Sequence, residues 1–156
     1  MEKSKPPLRV IVPGKNFRYE QVDASHGFEF WQVEGFLVDK NVRLTDLFGT
    51  IVYVLRKLMG PDTKIKFATT NFPFVEPGVE VDVWFPAQQK WLEVMGAGMV
   101  HPKVLENARV DSGKYQGFAF GLGVERFVMI KYGIPDIRLF HSGDIRFNYA
   151  FDEKPV

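Results

Sequence analysis

The sequence predicts an α+β fold, an antiparallel sheet flanked by helices. Three observations carry this. Most of the chain is cut into short runs that alternate apolar and polar residues with period two, the signature of half-buried strands. One stretch switches to helical spacing. The strand runs mostly follow one another without helices between them, which favours antiparallel pairing over a parallel α/β sheet. At 156 residues, 46% hydrophobic and 25% charged, the chain fits one globular domain. A domain of this size buries roughly 70% of its unfolded surface.

The elements are justified in order. Residues 1–7 read as a loose lead, charged and then closed by Pro6-Pro7. "LRVIVPG" is a short apolar strand that Pro13-Gly14 is expected to end. "KNFRYE" and "FEFWQVEGFLVD" alternate, with a polar loop over 21–27 between them. In "RLTDLFGTIVYVLRKLMGP", Leu47, Phe48, Ile51, Val52, Leu55, Leu58 and Met59 recur at helical spacing. Thr45 or Asp46 is expected to cap that helix, and Gly60-Pro61 to stop it. "KIKFATT", "VEVDVWF" and "KWLEVMGAGMV" are three further strands, and "HPKVLENA" one or two helical turns. "GFAFGLGVERFVMIKYG" begins as a glycine-punctuated strand and becomes a helix ending at Gly133. A single domain over 8–147 and a tail over 148–156 complete the expected organisation.

Composition narrows the chemistry. A net charge of +1 gives no global electrostatic footprint for nucleic acid. There is no Cys, which excludes disulfides, thiolate zinc sites and Cys nucleophiles. His26, His101 and His141 lack zinc-ligand spacing, and no serine nucleophile elbow occurs. No apolar run nears the ~18 residues of a membrane span, and the start does not read as a signal peptide, so the expectation is cytoplasmic.

Four stretches carry candidate chemistry. In 28–38, alternation sends Phe28, Phe30, Gln32, Glu34, Phe36 and Val38 to one face and Trp31, Val33 and Leu37 to a core face. If the preceding strand pairs with it, Arg18 and Glu20 join an aromatic ring, an amide and a carboxylate on one surface. Such a surface suits a phosphate, a flat base and an amine. The plainer alternative is a solvated face with ion pairs. Phe72 and Phe74 bracket a proline and offer either a slot for a third ring or core packing at a bend. "GFAFGLGVER" brings little side-chain bulk and then a helix start, where a ligand can approach backbone and Arg126 can bond phosphate; its plainer reading is a tight strand-to-helix turn. Its glycines match neither the dinucleotide fingerprint nor the P-loop. Glu93 in "KWLEV" can hold a divalent cation or be an exposed strand carboxylate.

Together these strings resemble a known family. "FRYE", a loop and "HGFEF" resemble motif 2 of class II aminoacyl-tRNA synthetases, and "AFGLGVER" resembles motif 3, with Ala119 in place of its first glycine. "FWQVEG", "FPFVEPGVEVDV", "WLEVMGAGMVHPKVL", "GFAFGLGVER" and "YGIPDIR" are similar to the alpha-subunit family of bacterial-type phenylalanyl-tRNA synthetases, over about Leu8 to Phe147. The resemblance implies a class II catalytic core that joins phenylalanine to ATP as an adenylate and passes it to tRNA. It implies that Arg18 holds the α-phosphate, Glu20 accepts from the adenine amine, His26 lies near the phosphates and Phe30 stacks on adenine. Arg126 would clamp the far phosphate, beside the open backbone at Gly123. Gln32 and Glu34 would orient the amino acid, Glu34 meeting its ammonium. Phe72 and Phe74 would meet the phenyl ring edge-on, with Ala119 and Gly121 beneath it. Glu93 matches the family's magnesium-binding carboxylate.

Departures accompany the match. The family's N-terminal coiled coil, its motif 1 dimer element and an upstream His and Ser that hold the amino acid have no counterpart in these residues. Trp31 stands where the family usually has His, and "HSGDIRFNYAF" differs from its usual acidic close. The expectation is therefore a core lacking motif 1, its apolar edges needing a beta subunit or self-association, with tRNA contacts mostly elsewhere. A truncated paralogue that binds amino acid or adenylate without turnover, and a ligase for a different acyl group, are the alternatives.

Overall fold

The computed structural model describes residues 1–19 and 27–150. It contains a six-stranded antiparallel sheet in the order β1-β2-β6-β5-β4-β3. The strands are β1 (Leu8–Phe17), β2 (Glu29–Asp39), β3 (Ile65–Phe72), β4 (Val75–Phe85), β5 (Lys90–Val100) and β6 (Gln116–Gly123). Strands β3 to β6 form a meander, and the β1–β2 pair docks through β2 onto β6. This non-local docking sets Gln32–Asp39 against the glycine-rich strand Gln116–Gly123.

One face of the sheet is closed by helix α1 (Leu44–Met59). Its Leu47, Ile51 and Leu55 are fully buried and join Val79, Val81 and Val83 of β4, Met95 and Ala97 of β5, and Phe118, Phe120 and Leu122 of β6. Burying each such aliphatic side chain is worth about 1.5–3 kcal/mol, so this layer anchors the fold. Helix α2 (Pro102–Asn107) contributes Leu105 to a second cluster with Val38, Val110 and Phe36. Helix α3 (Val124–Tyr132) follows β6 directly and ends at Gly133, whose φ of 68° is left-handed and suits glycine. Helix α4 (Ile145–Tyr149) runs across the expected domain edge at residue 147.

Four sequence expectations are corrected. Pro13-Gly14 does not end a strand: β1 runs through it to Phe17, with Pro13 opposite Val33. An edge strand tolerates proline because one of its sides needs no ladder donor. Strand β4 starts at Val75, earlier than "VEVDVWF" suggested, because a bulge absorbs Pro77 between Val75 and Gly78. Helix α1 is capped from Arg43, whose backbone N–H donates to the Asp46 carboxylate at 2.8 Å, so Asp46 works from inside the first turn. Trp31 is 48% exposed rather than core. It lies past the last β2–β6 pair, Gln32 with Gly123, where the neighbouring strand has already turned away. The expected loop over 21–27 lies, except for Gly27, outside the described residues.

Candidate active site

The other face of the sheet is left open at its centre by small residues. Directly paired positions run Glu34 (β2), Gly121 (β6), Gly96 (β5) and Glu80 (β4). The next row toward α2 runs Phe36, Ala119, Gly98 and Gly78. Paired residues point to the same side, so Gly121, Gly96 and Ala119 leave a floor almost bare of side chains, while Val75 covers Gly98 and the Thr70 carbonyl covers Gly78. That floor opens into a cavity of about 330 Å³, within the range of small-molecule sites. Arg18, Phe30, Gln32, Glu34, Phe72, Phe74, Glu93, Ala119, Gly121, Gly123 and Arg126 all line it. Glu20 and His26 lie outside the described residues.

The β2 side is polar. The Arg18 backbone N–H donates to the Phe28 carbonyl at 3.0 Å, prolonging the β1–β2 ladder by one residue. That leaves the Arg18 guanidinium over the Phe30 ring, 4.8 Å from its centroid, a cation–π contact that also prepays the ordering of a long side chain. Asn16 donates through Nδ2 to Gln32 Oε1 at 3.1 Å. The ends of the Gln32 and Glu34 side chains lie together over Gly121. Burial pushes the Glu34 carboxyl above the ordinary glutamate range, while the Arg18 charge and the Gln32 amide pull it back in part. Gly121 makes this arrangement possible: a Cβ there would lie 2.4 Å from Glu34 Oε1 and 2.8 Å from Gln32 Nε2. Both side chains lie across the glycine.

The β3–β4 side is aromatic. Phe72 and Phe74 stack at 5.9 Å with 10° between their planes. The edge of the Phe72 ring rests over Gly96, where a Cβ would meet it at 3.2 Å. Phe74 is more than half exposed, and Val75 continues the wall.

At the mouth, Arg126 donates through Nη1 to the Glu93 carbonyl at 2.7 Å and lies 3.6 Å from its carboxylate. A β-bulge explains why Glu93 is here. The β4–β5 register slips by one between the pairs Val81–Met95 and Asp82–Glu93. Strict alternation from Gly96 would turn Glu93 into the core; the extra residue, Val94, lets Glu93 face the cavity while Leu92 and Met95 stay buried. Among the described residues no three acidic or histidine groups gather as a metal cage. A lone carboxylate on the rim does fit magnesium, which is commonly held by one or two carboxylates together with substrate phosphates and water.

Two residues at the site were not singled out from the sequence: Asn16, which braces a wall residue without lining the cavity, and Glu125, which lines it. Asn16 sets the Gln32 amide, and only the β1–β2 register brings it there, opposite Phe30. Glu125 is 6% exposed, and its Oε1 accepts the Trp31 backbone N–H at 2.7 Å. The "VER" string held that glutamate in view, but nothing local distinguishes it from a surface residue.

A cavity of about 330 Å³ on an antiparallel sheet, with an arginine from the β1–β2 unit and another from the helix after β6, defines a class. Residues 1–151 match the model of the family "tRNA synthetases class II core domain (F)", and the chain belongs to that family. It is 52% identical, over 97% of its own length and 46% of the relative's, to the phenylalanine–tRNA ligase alpha subunit of Dehalococcoides mccartyi. It is 48% identical, over 93% of its length and 44% of the relative's, to that of Staphylococcus haemolyticus. The chain thus spans about half the length of the curated relatives it matches. Pyrrolysyl-tRNA synthetase from Desulfitobacterium hafniense shares the fold, with a TM-score of 0.65 at 21% identity over 90% of this chain and 47% of that one.

Proposed function

We propose that this chain is the catalytic core of a phenylalanine–tRNA ligase alpha subunit, which forms phenylalanyl-adenylate from phenylalanine and ATP. One observation carries the reading: a floor of Gly121, Gly96 and Ala119, almost bare of side chains, lies between a wall of arginine, amide and carboxylate and a wall of stacked phenylalanines. The two walls match the two ends of the amino acid. Glu34, backed by Gln32, suits the ammonium; Phe72 and Phe74 suit the ring, and Ala119 its far end. Arg18 and Arg126 sit at opposite sides of the mouth, where a triphosphate would lie. Phe30 offers the adenine a stacking platform.

In the first step a carboxylate oxygen of phenylalanine attacks the α-phosphorus of ATP. The bond from that phosphorus to the bridging oxygen of pyrophosphate breaks, and pyrophosphate leaves with the electron pair. Arg18 stabilises charge that grows on the α-phosphate oxygens, and Arg126 holds the leaving end. Fixed orientation of the two reactants supplies much of the rest. A magnesium ion, when bound, neutralises phosphate charge; Glu93 is the residue that would hold it. In the second step a terminal ribose hydroxyl of tRNA attacks the acyl carbon; the bond from that carbon to the phosphate oxygen breaks, AMP leaves with the electron pair, and the hydroxyl proton passes to its phosphate. No group on the protein is acylated.

The working form is larger than this chain. Ile11, Val12 and Phe17 on edge strand β1 and Tyr53 and Leu58 on α1 are exposed, apolar surface that a companion beta subunit or a second copy would cover. No helix among the described residues is long and apolar enough to cross a membrane, and the setting we infer is cytoplasmic. Phenylalanine-dependent exchange of pyrophosphate into ATP tests the assignment. Exchange specific to phenylalanine supports it; phenylalanine binding without exchange, in the assembled protein, overturns it.

A further inference from the structure

We infer that Glu125 is a positioning residue, a side-chain substitute for a strand carbonyl that keeps the two phosphate-facing arginines in register. Strand β6 pairs with β2 only as far as Gly123 opposite Gln32 and then turns into α3. Strand β2 continues outward as Trp31, Phe30 and Glu29, supported on its other side by β1 alone. The Trp31 N–H is thus the first donor beyond the shared ladder. Glu125 Oε1 accepts it at 2.7 Å, across 94 residues of sequence. The next residue along α3 is Arg126, bonded to the Glu93 carbonyl. The residue beside Trp31 is Phe30, which carries the Arg18 guanidinium on its ring. One hydrogen bond therefore links the support of one arginine to the helix that bears the other.

The arrangement is costly for stability alone. Glu125 is 6% exposed, and its Oε2 is buried with no hydrogen-bond partner among the described residues. A half-satisfied buried carboxylate costs free energy, whereas a strand end left to water costs almost none. The reach of the side chain, rather than its charge, is what the geometry uses. This inference rests on the adenylate-forming reading for its consequence, although the hydrogen bond itself does not.

Two variants separate reach from charge. Glu125→Asp keeps the charge but shortens the arm by about 1.5 Å, too far for Trp31. Glu125→Gln keeps an oxygen at the same reach and replaces only the atom that already lacks a partner. In the chain assembled with whatever companion subunit it requires, hydrogen exchange of the Trp31 amide and the Kd for ATP are measured in parent and variants. We expect E125D to accelerate Trp31 exchange and weaken ATP about tenfold, the scale of one misplaced charged hydrogen bond. We expect E125Q to stay within about threefold of the parent in both. The reverse ranking, with E125Q impaired and E125D normal, overturns the inference in favour of a charge role. Trp31 deprotection in E125D with unchanged ATP affinity overturns it too, as the bond would then be structural only. A parent that binds no ATP sinks the adenylate reading, a different failure, and the amide exchange still decides the clamp.

Discussion

The two walls of the cavity differ in how they are held. On the β2 wall, position comes from hydrogen bonds and a cation–π contact: Asn16 holds Gln32, the Phe30 ring carries Arg18, and Glu125 accepts the Trp31 backbone N–H beside them. On the β3–β4 wall, position comes from shape: Phe72 stacks on Phe74 and rests over Gly96. Hydrogen-bonded networks fix angles and lose much when one member goes. Ring packing tolerates small shifts and loses area gradually. The first kind suits charge that must meet a developing transition state; the second suits recognition of a ring whose size matters more than its orientation.

That contrast can be broken from the polar side first. Arg18→Ala should lower pyrophosphate exchange by about 10²–10³-fold, the scale of removing one preorganised transition-state donor, with phenylalanine affinity little changed. An equal loss in phenylalanine Kd would merge the roles of the walls. Gly121→Ala comes next. Its methyl would collide with the flexible ends of Glu34 and Gln32, so the thermal midpoint should barely move while phenylalanine affinity falls by about 10–100-fold, as expected for lost charged hydrogen bonds. Calorimetric titration together with a melting curve checks both halves.

On the aromatic side, Phe74→Ala should cost about three- to tenfold in phenylalanine KM, the worth of one ring contact, and leave kcat alone. A fall in kcat would place Phe74 in the chemistry instead. Gly96→Ala should be milder still, a few-fold change in discrimination among ring-substituted phenylalanines, since Phe72 need shift only a few tenths of an ångström.

The smallest effect separates the walls by pH. The Glu34 carboxyl is raised by burial, so the folded chain binds its proton more readily than the unfolded chain does. Its contribution to stability is thus complete below the ordinary glutamate pKa and is lost as pH rises through the raised value. An ammonium ligand requires the ionised form, so phenylalanine affinity should decline on acidification sooner than an ordinary carboxylate would cause. Glu34→Gln should flatten that profile, whereas Phe74→Ala should leave its midpoint in place. An unchanged profile in Glu34→Gln would remove the ammonium role from this carboxylate.

Much of this was legible in the chain itself. Strand-like runs marked all six strands of the described residues, although β1 was read as two runs that the structure joins; helical spacing located α1, and the glycines before "VER" marked the strand-to-helix turn. These signals are local, set by side-chain period and backbone propensity. The same rules misplaced Trp31, because strand parity says which side a residue points to but not whether anything covers that side. They also missed how Pro77 and Val94 are accommodated, since a bulge is defined by the partner strand.

By itself, then, the sequence determined the elements, the polar row of β2 and the bare floor of β6, because each is written within a few neighbouring residues. Only the tertiary structure decided that β2 lies against β6, that Val94 swings Glu93 toward the cavity, that Asn16 braces Gln32 and that Glu125 reaches the strand at Trp31. Those outcomes depend on register between strands far apart in the chain, and register is settled by which whole set of side chains can be buried together.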